Sequence, residues 1–138
     1  MRESIELERD YDVTPERLFA AWTDAAVLRR WFGCGTDMLW TIHAWDARPG
    51  GALHVSLQFE HGPYDVRGKF VRVDAPRRLR YEWENDETID VAIEPHGTGS
   101  RLRLVHEFEA DERKRGILTG GWTASLGQLR SAWADVPA

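Results

Sequence analysis

The chain has a single cysteine, Cys34, which excludes an internal disulfide and a cysteine-based zinc cluster. No apolar run approaches the ~18 residues of a membrane span. The opening stretch, MRESIELERD, lacks the charged, apolar and small-residue regions of a signal peptide. A cytoplasmic location without membrane attachment is therefore expected. A concentrated basic face is missing too. The formal net charge is −5, and Arg29-Arg30, Arg77-Arg78 and Arg113-Lys114-Arg115 are short groups flanked by acids. Phosphate binding needs positive charge gathered on one face, so these groups read as solvated surface and no nucleic-acid partner is expected. Repeats, linkers and low-complexity segments are also absent, and a chain of 138 residues suits one domain over 1–138. Tryptophan is in excess, with seven residues.

The apolar pattern changes period along the chain. Residues 4–11 alternate as a strand does. VTPERLFAAW then opens a helix, with Thr14 as N-cap, Pro15 at the first helical position and Val13 stapling onto Leu18. A second short helix follows Asp24, with Val27, Leu28 and Trp31 on its apolar side. Alternating runs near 40–47, 51–59, 64–73, 78–84, 88–94 and 100–108 come next, separated mostly by Gly- and Pro-bearing turns. Such short connections predict an antiparallel meander, because parallel strands need long crossovers.

The last helix starts after Asp111 and runs to about Ala134. Leu118, Trp122, Leu126, Leu129 and Trp133 form one stripe about 80° wide at 100° per residue. Gly120, Gly121 and Gly127 interrupt it, at roughly 1 kcal/mol each relative to alanine. Five buried large side chains at roughly 2 kcal/mol each outweigh that, so this helix is expected to form and to cover the sheet. Gly121, Ser125 and Ala132 flank the stripe and leave room between helix and sheet. Gly116, Gly120 and Gly127 lie opposite; tolerance on an exposed face is favoured there over the close subunit contact of a homodimer.

Turn lengths predict partners. A two-residue loop at Pro49-Gly50 pairs Ala44 with Val55, Ile42 with Leu57 and Trp40 with Phe59. A four-residue loop at 96–99 pairs Ile93 with Leu102, Val91 with Leu104 and Ile89 with His106. A three-residue loop at 85–87 sets Trp83 beside Ile89 and Tyr81 beside Val91. All these residues share one covered face. The opposite, wet face carries Thr41, His43, His54, Ser56, Arg80, Glu82, Arg101 and Arg103.

The order of strand, two short helices, six-strand meander and long helix describes an α+β helix-grip fold, a seven-stranded antiparallel sheet wrapped around its C-terminal helix. The segment VTPERLFAAWTDAAVLRRWF resembles the opening of homologues of the heat-shock-protein-90 ATPase activator, in the START-like, pollen-allergen-like (SRPBCC) superfamily. ARPGG at 47–51, GKFVRVDAPRRLRYEW at 68–83, RLRLVHEF at 101–108 and GGWTASLGQL at 120–129 fit the same family in the same order. The resemblance implies an apolar or amphipathic small molecule held between helix and sheet. Some superfamily members are cyclases, dehydratases or hydrolases. The eukaryotic activator engages its chaperone through a separate N-terminal domain, for which this chain has no room, so a chaperone partner is not expected.

His106 is in phase with Leu102, Leu104 and Phe108 and so points toward the helix. A core histidine bonded to a carbonyl or water is favoured over a cavity histidine that orients a polar group of a ligand, and catalysis would need a partner acid or nucleophile, none of which is visible on that face at matching depth. His43 and His54 face outward with no third ligand in sight, so no metal is expected. Cys34 lies between glycines with no activating base, and no glycine-rich piece has phosphate-loop spacing, so no cofactor is expected. The candidate ligand-binding residues are Trp31, Phe32, Trp40, Val55, Leu57, Phe70, Tyr81, Trp83, His106, Leu118, Trp122 and Leu126. Gly68 opposite Trp83 favours a cavity by removing a side chain from the covered face. Binding of an apolar or amphipathic small molecule, without catalysis, is the leading expectation. An enzyme acting on an aromatic or polyketide-like substrate comes second, and a chaperone-assisting interaction module third.

Overall fold

Six strands joined by short turns pair as an antiparallel meander, and one long helix is left to cover its apolar face. The computed structural model describes residues 2–31, 39–59, 62–84 and 86–130. Strand β1 (Arg2–Tyr11) is followed by α1 (Pro15–Thr23) and α2 (Ala25–Leu28). The meander is β2 (Leu39–Trp45), β3 (Ala52–Phe59), β4 (Gly62–Asp74), β5 (Arg78–Trp83), β6 (Glu87–His96) and β7 (Gly99–Glu109), and α3 (Glu112–Leu129) closes the described chain. The sheet order is β1-β7-β6-β5-β4-β3-β2, antiparallel throughout. This is the helix-grip fold.

Each helix begins where its cap predicts. The Thr14 hydroxyl accepts from the Arg17 amide, the Asp24 carboxylate from the Ala26 amide, and the Asp111 carboxylate from the Arg113 and Lys114 amides. Such caps satisfy orphan donors and are each worth ~1 kcal/mol. The α3 stripe behaves as its spacing requires. Trp122, Leu126 and Leu129 are buried and Leu118 is half-buried against the core. Trp133 lies outside the described residues. The hydroxyl of Tyr11 donates to the Leu126 carbonyl at 2.9 Å, tying the end of β1 to this helix.

The registers are correct at one hairpin and displaced at two. Ile93 pairs with Leu102, Val91 with Leu104 and Ile89 with His106, as the turn at 96–99 predicts. At the β5–β6 hairpin, however, Trp83 pairs with Glu87, Tyr81 with Ile89 and Leu79 with Val91. The turn sits one residue earlier than expected, with Asp86 in the left-handed region at φ 69°, a conformation that aspartate tolerates better than most residues. At β2–β3, Ile42 pairs with Val55 and Trp40 with Leu57. The connection here is longer than a Pro49-Gly50 turn. The Gly51 amide donates to the Arg48 carbonyl, and Gly50 and Gly51 are tied across to Phe70. Along β5–β6, and at Trp40 and Ile42 of β2, the displacement is by two residues, so the predicted faces survive there although the partners change.

A bulge in β2 has a larger consequence. Between Ile42 and Ala44 the register shifts, leaving His43 unpaired, and beyond it Ala44 pairs with His54 and Trp45 with Leu53. One extra residue inverts the alternation. Trp45, rather than Ala44, therefore turns onto the covered face, where it packs edge-on against Phe70 and Tyr81 with ring centroids 5.2 and 5.7 Å away.

Candidate functional site

Among the candidate residues, Trp31, Val55, Phe70, Tyr81, His106, Trp122 and Leu126 are buried on the covered side, and Trp83 and Leu118 are half-buried at its margin. Phe32 lies outside the described residues. Trp40 and Leu57 are paired on β2 and β3, but their side chains lie outside the description.

The aromatic side chains join into one layer. Trp22 of α1 meets Trp31 edge-on at 4.6 Å and stacks on Trp122 of α3 at 5.8 Å. The Trp31 indole N–H donates to the Ala21 carbonyl, and that of Trp45 donates to the Trp22 carbonyl at 2.8 Å. Trp45 thereby links α1 to Phe70 and Tyr81, which lie 5.6 Å apart. Neither Trp22 nor Trp45 stood among the sequence candidates. Trp22 follows Leu18 by one helical turn, a signal that was available; the inward turn of Trp45 depends on the bulge.

His106 is fully buried, but it is not without an acid. Its Nε2 lies 2.6 Å from Glu87 Oε1, and the second carboxylate oxygen of Glu87 is ion-paired with Lys114. Glu87 is 1% exposed. On the other side of the ring, the Trp122 indole N–H donates to Nδ1 at 2.9 Å. An indole nitrogen only donates, so Nδ1 carries no proton and Nε2–H is the donor to Glu87. Burial acts to raise the Glu87 carboxyl, but hydrogen bonds from His106 and Lys114, with the charges beside it, outweigh burial and hold it below its ordinary value.

This chain corrects two sequence readings. Glu87 is the acid that His106 was expected to lack, and Lys114 is not simply solvated. The relevant signal was parity. Glu87 is in phase with Ile89, Val91 and Ile93, so once the turn ends at Asp86 it must point inward, diagonally adjacent to His106.

The network also makes stability depend on pH. A carboxyl depressed in the folded state contributes stability above its unfolded value, and loses it as pH falls through the folded value. The stability gap between the native chain and Glu87→Gln, measured by urea unfolding, is expected to be widest at neutral pH. It should narrow as pH falls below the ordinary value of 4.5. A gap independent of pH would mean that Glu87 is not ionised in the folded protein.

Two polar atoms in the covered layer have no hydrogen-bond partner among the described residues, the Tyr81 hydroxyl and the Trp22 indole nitrogen. Both side chains are at most 1% exposed. Burial pushes the Tyr81 hydroxyl well above its ordinary pKa, so it stays neutral. Around this layer, Ile42, Trp45, Trp83 and Leu118 are only partly buried. A Cβ built on Gly121, beside Trp122, would meet nothing within 4 Å. Gly68 has a different explanation from the expected cavity: a Cβ there would lie 1.8 Å from the Glu82 carbonyl oxygen. It is glycine because β5 passes too close for any side chain. No helix among the described residues is long and apolar enough to cross a membrane.

The family described as Activator of Hsp90 ATPase homolog 1-like protein matches residues 12–134. The solved structure of protein CV1439 from Chromobacterium violaceum is similar at 27% identity and a TM-score of 0.83, covering 94% of this chain and 96% of that one. The AHSA1 protein of Silicibacter pomeroyi is also 27% identical, with a TM-score of 0.79 and coverage of 96% and 98%. An AHSA1-like protein from Aeromonas hydrophila, at 20% identity, TM-score 0.78 and coverage of 96% and 92%, shares the fold. No curated protein matches the sequence.

Proposed function

Since this chain belongs to the Activator of Hsp90 ATPase homolog 1-like protein family, we propose that it binds an apolar or amphipathic small molecule between the sheet and α3. One observation carries the reading: the Tyr81 hydroxyl and the Trp22 indole N–H are buried without a partner among the described residues, inside an aromatic layer whose apolar margin is only partly buried. A buried polar group left unsatisfied costs about 1–3 kcal/mol. A ligand that offers acceptor oxygens to these donors, with an aromatic or aliphatic body against Trp45 and Trp83, recovers that free energy and buries apolar surface.

Catalysis by His106 is the weaker reading. A buried carboxylate–imidazole pair is an acid–base unit in principle, but here both ring nitrogens are engaged, Nδ1 by Trp122 and Nε2 by Glu87. No lone pair or proton is left for a substrate. His106 holds α3 to the sheet, and binding needs nothing further from it.

The test uses an amphipathic naphthalene sulfonate probe whose fluorescence reports burial. Tyr81→Phe should weaken the probe roughly tenfold or more, the worth of a hydrogen bond to its anionic sulfonate, while the unliganded protein melts no lower than the native chain. Gly121→Leu, which grows into open space, should block the probe without unfolding the protein. Unchanged probe binding with a lowered melting temperature in Gly121→Leu would point to a filled core, and the binding reading would fall.

A further inference from the structure

The outer face of the sheet, away from α3, brings His43, His54, Ser56 and Asp65 together from β2, β3 and β4. Ser56 pairs with Asp65, and His43 is the unpaired residue of the β2 bulge. A bulge re-aims the side chain that it carries, and here the His43 ring lies over His54 with centroids 4.3 Å apart. Ser56 Oγ donates to Asp65 Oδ1 at 2.6 Å, and His54 Nε2 lies 3.1 Å from Asp65 Oδ2. His43 Nε2 lies 2.7 Å from Ser56 Oγ. Ser56 has one hydroxyl proton and directs it at Asp65, so His43 Nε2–H is the donor to Ser56. Both imidazoles thus aim Nε2 at the surroundings of one carboxylate. One ligand atom from each of His43, His54 and Asp65 can be chosen so that all lie within 4.8 Å of one another. Asp65 is the third group that the sequence reading lacked.

We propose that His43, His54 and Asp65 form a binding site for a divalent first-row transition ion of the imidazole-preferring class, such as Zn2+. Two neutral imidazole nitrogens and one carboxylate oxygen are a donor set that such ions accept, with a remaining position for water. Bonds of about 2.0–2.1 Å in tetrahedral geometry place ligand atoms roughly 3.3 Å apart. The three groups therefore need to draw in by about 1.5 Å at most. Side-chain rotation supplies this, since the His54 and Asp65 side chains are 21% and 51% exposed. On binding, each imidazole turns an unprotonated Nε2 to the ion and carries its proton on Nδ1; no net proton is lost. Ser56 keeps its hydrogen bond to Asp65 and steadies the carboxylate from outside the ion's ligands. Arg67, 3.4 Å from Asp65 Oδ2 and 56% exposed, is the resident cation that the ion displaces toward water. The site lies on the face of the sheet opposite the aromatic layer, so it stands or falls separately from the small-molecule reading.

The experiment is a calorimetric titration of the full chain with ZnCl2, in a Cys34→Ser background that removes the one thiol. One equivalent should bind, and His96→Ala should leave binding unchanged. His54→Ala and Asp65→Asn should each weaken it at least tenfold, with unchanged circular dichroism. Cu2+ added substoichiometrically should broaden the imidazole resonances of His43 and His54 before those of His96. Absence of a one-equivalent site, retention of full affinity in both His54→Ala and Asp65→Asn, or broadening that begins at His96 would each overturn the proposal.

Discussion

Replacing His106 with leucine is expected to destabilise the folded chain by about 3–5 kcal/mol in urea unfolding at neutral pH, the usual consequence of removing one partner from a buried charged network. The side chain is fully buried, and its loss is felt on both sides. The Trp122 indole N–H loses its acceptor, and the Glu87 carboxylate loses the donor to Oε1 while keeping Lys114 on the other oxygen. Apolar contacts with the leucine do not replace these bonds. The double variant His106→Leu/Glu87→Leu should recover much of the loss, because it removes the stranded carboxylate, and Lys114, 33% exposed, can turn to water. The two substitutions should therefore be strongly non-additive. If His106→Leu lies within 1 kcal/mol of the native chain, the network is not holding α3 to the sheet, and the assignment of His106 as a structural residue is wrong.

A second large effect is expected at Gly68. Its Cβ would stand 1.8 Å from the Glu82 carbonyl oxygen, 2.9 Å from the Glu82 carbonyl carbon and 3.0 Å from the Trp83 Cα. These are backbone atoms of the paired strand, so no rotamer change relieves the overlap. To accept a methyl group, β5 must move away from β4, across the pairs Gly68–Trp83 and Lys69–Glu82 and the 2.8 Å bond from the Glu84 amide to the Arg67 carbonyl. Gly68→Ala should cost about 3 kcal/mol, at the upper end of overpacking penalties. The exposed Gly120 of α3 meets nothing within 4 Å, and Gly120→Ala should stabilise by up to about 1 kcal/mol through helix propensity alone. Thermal melting of the two variants beside the native chain checks both signs. A Gly68→Ala protein as stable as the native chain would show that the strands separate without cost there.

Much of the fold is carried by short-range features. Thr14, Asp24 and Asp111 mark the helix starts because capping is settled within three residues of chain. The inward face of β7 is legible from Leu102, Leu104, His106 and Phe108, because alternation holds along an uninterrupted strand. The same logic identifies the α3 stripe and most of the aromatic layer.

What the local pattern leaves open is partner identity. A turn displaced by one residue moved every β5–β6 pair by two and carried Glu87 from the expected loop into the core beside His106. The bulge at His43 turned Trp45 inward and brought the His43 ring over that of His54 on the outer face. The sequence by itself determined which elements form and which face of most strands is apolar, because periodicity and caps act within one element. Only the tertiary structure decided that Lys114, Glu87, His106 and Trp122 make one chain, and that Asp65 joins His43 and His54. Those contacts depend on turn conformation and on the approach of elements far apart along the chain, where a shift of one residue exchanges every neighbour.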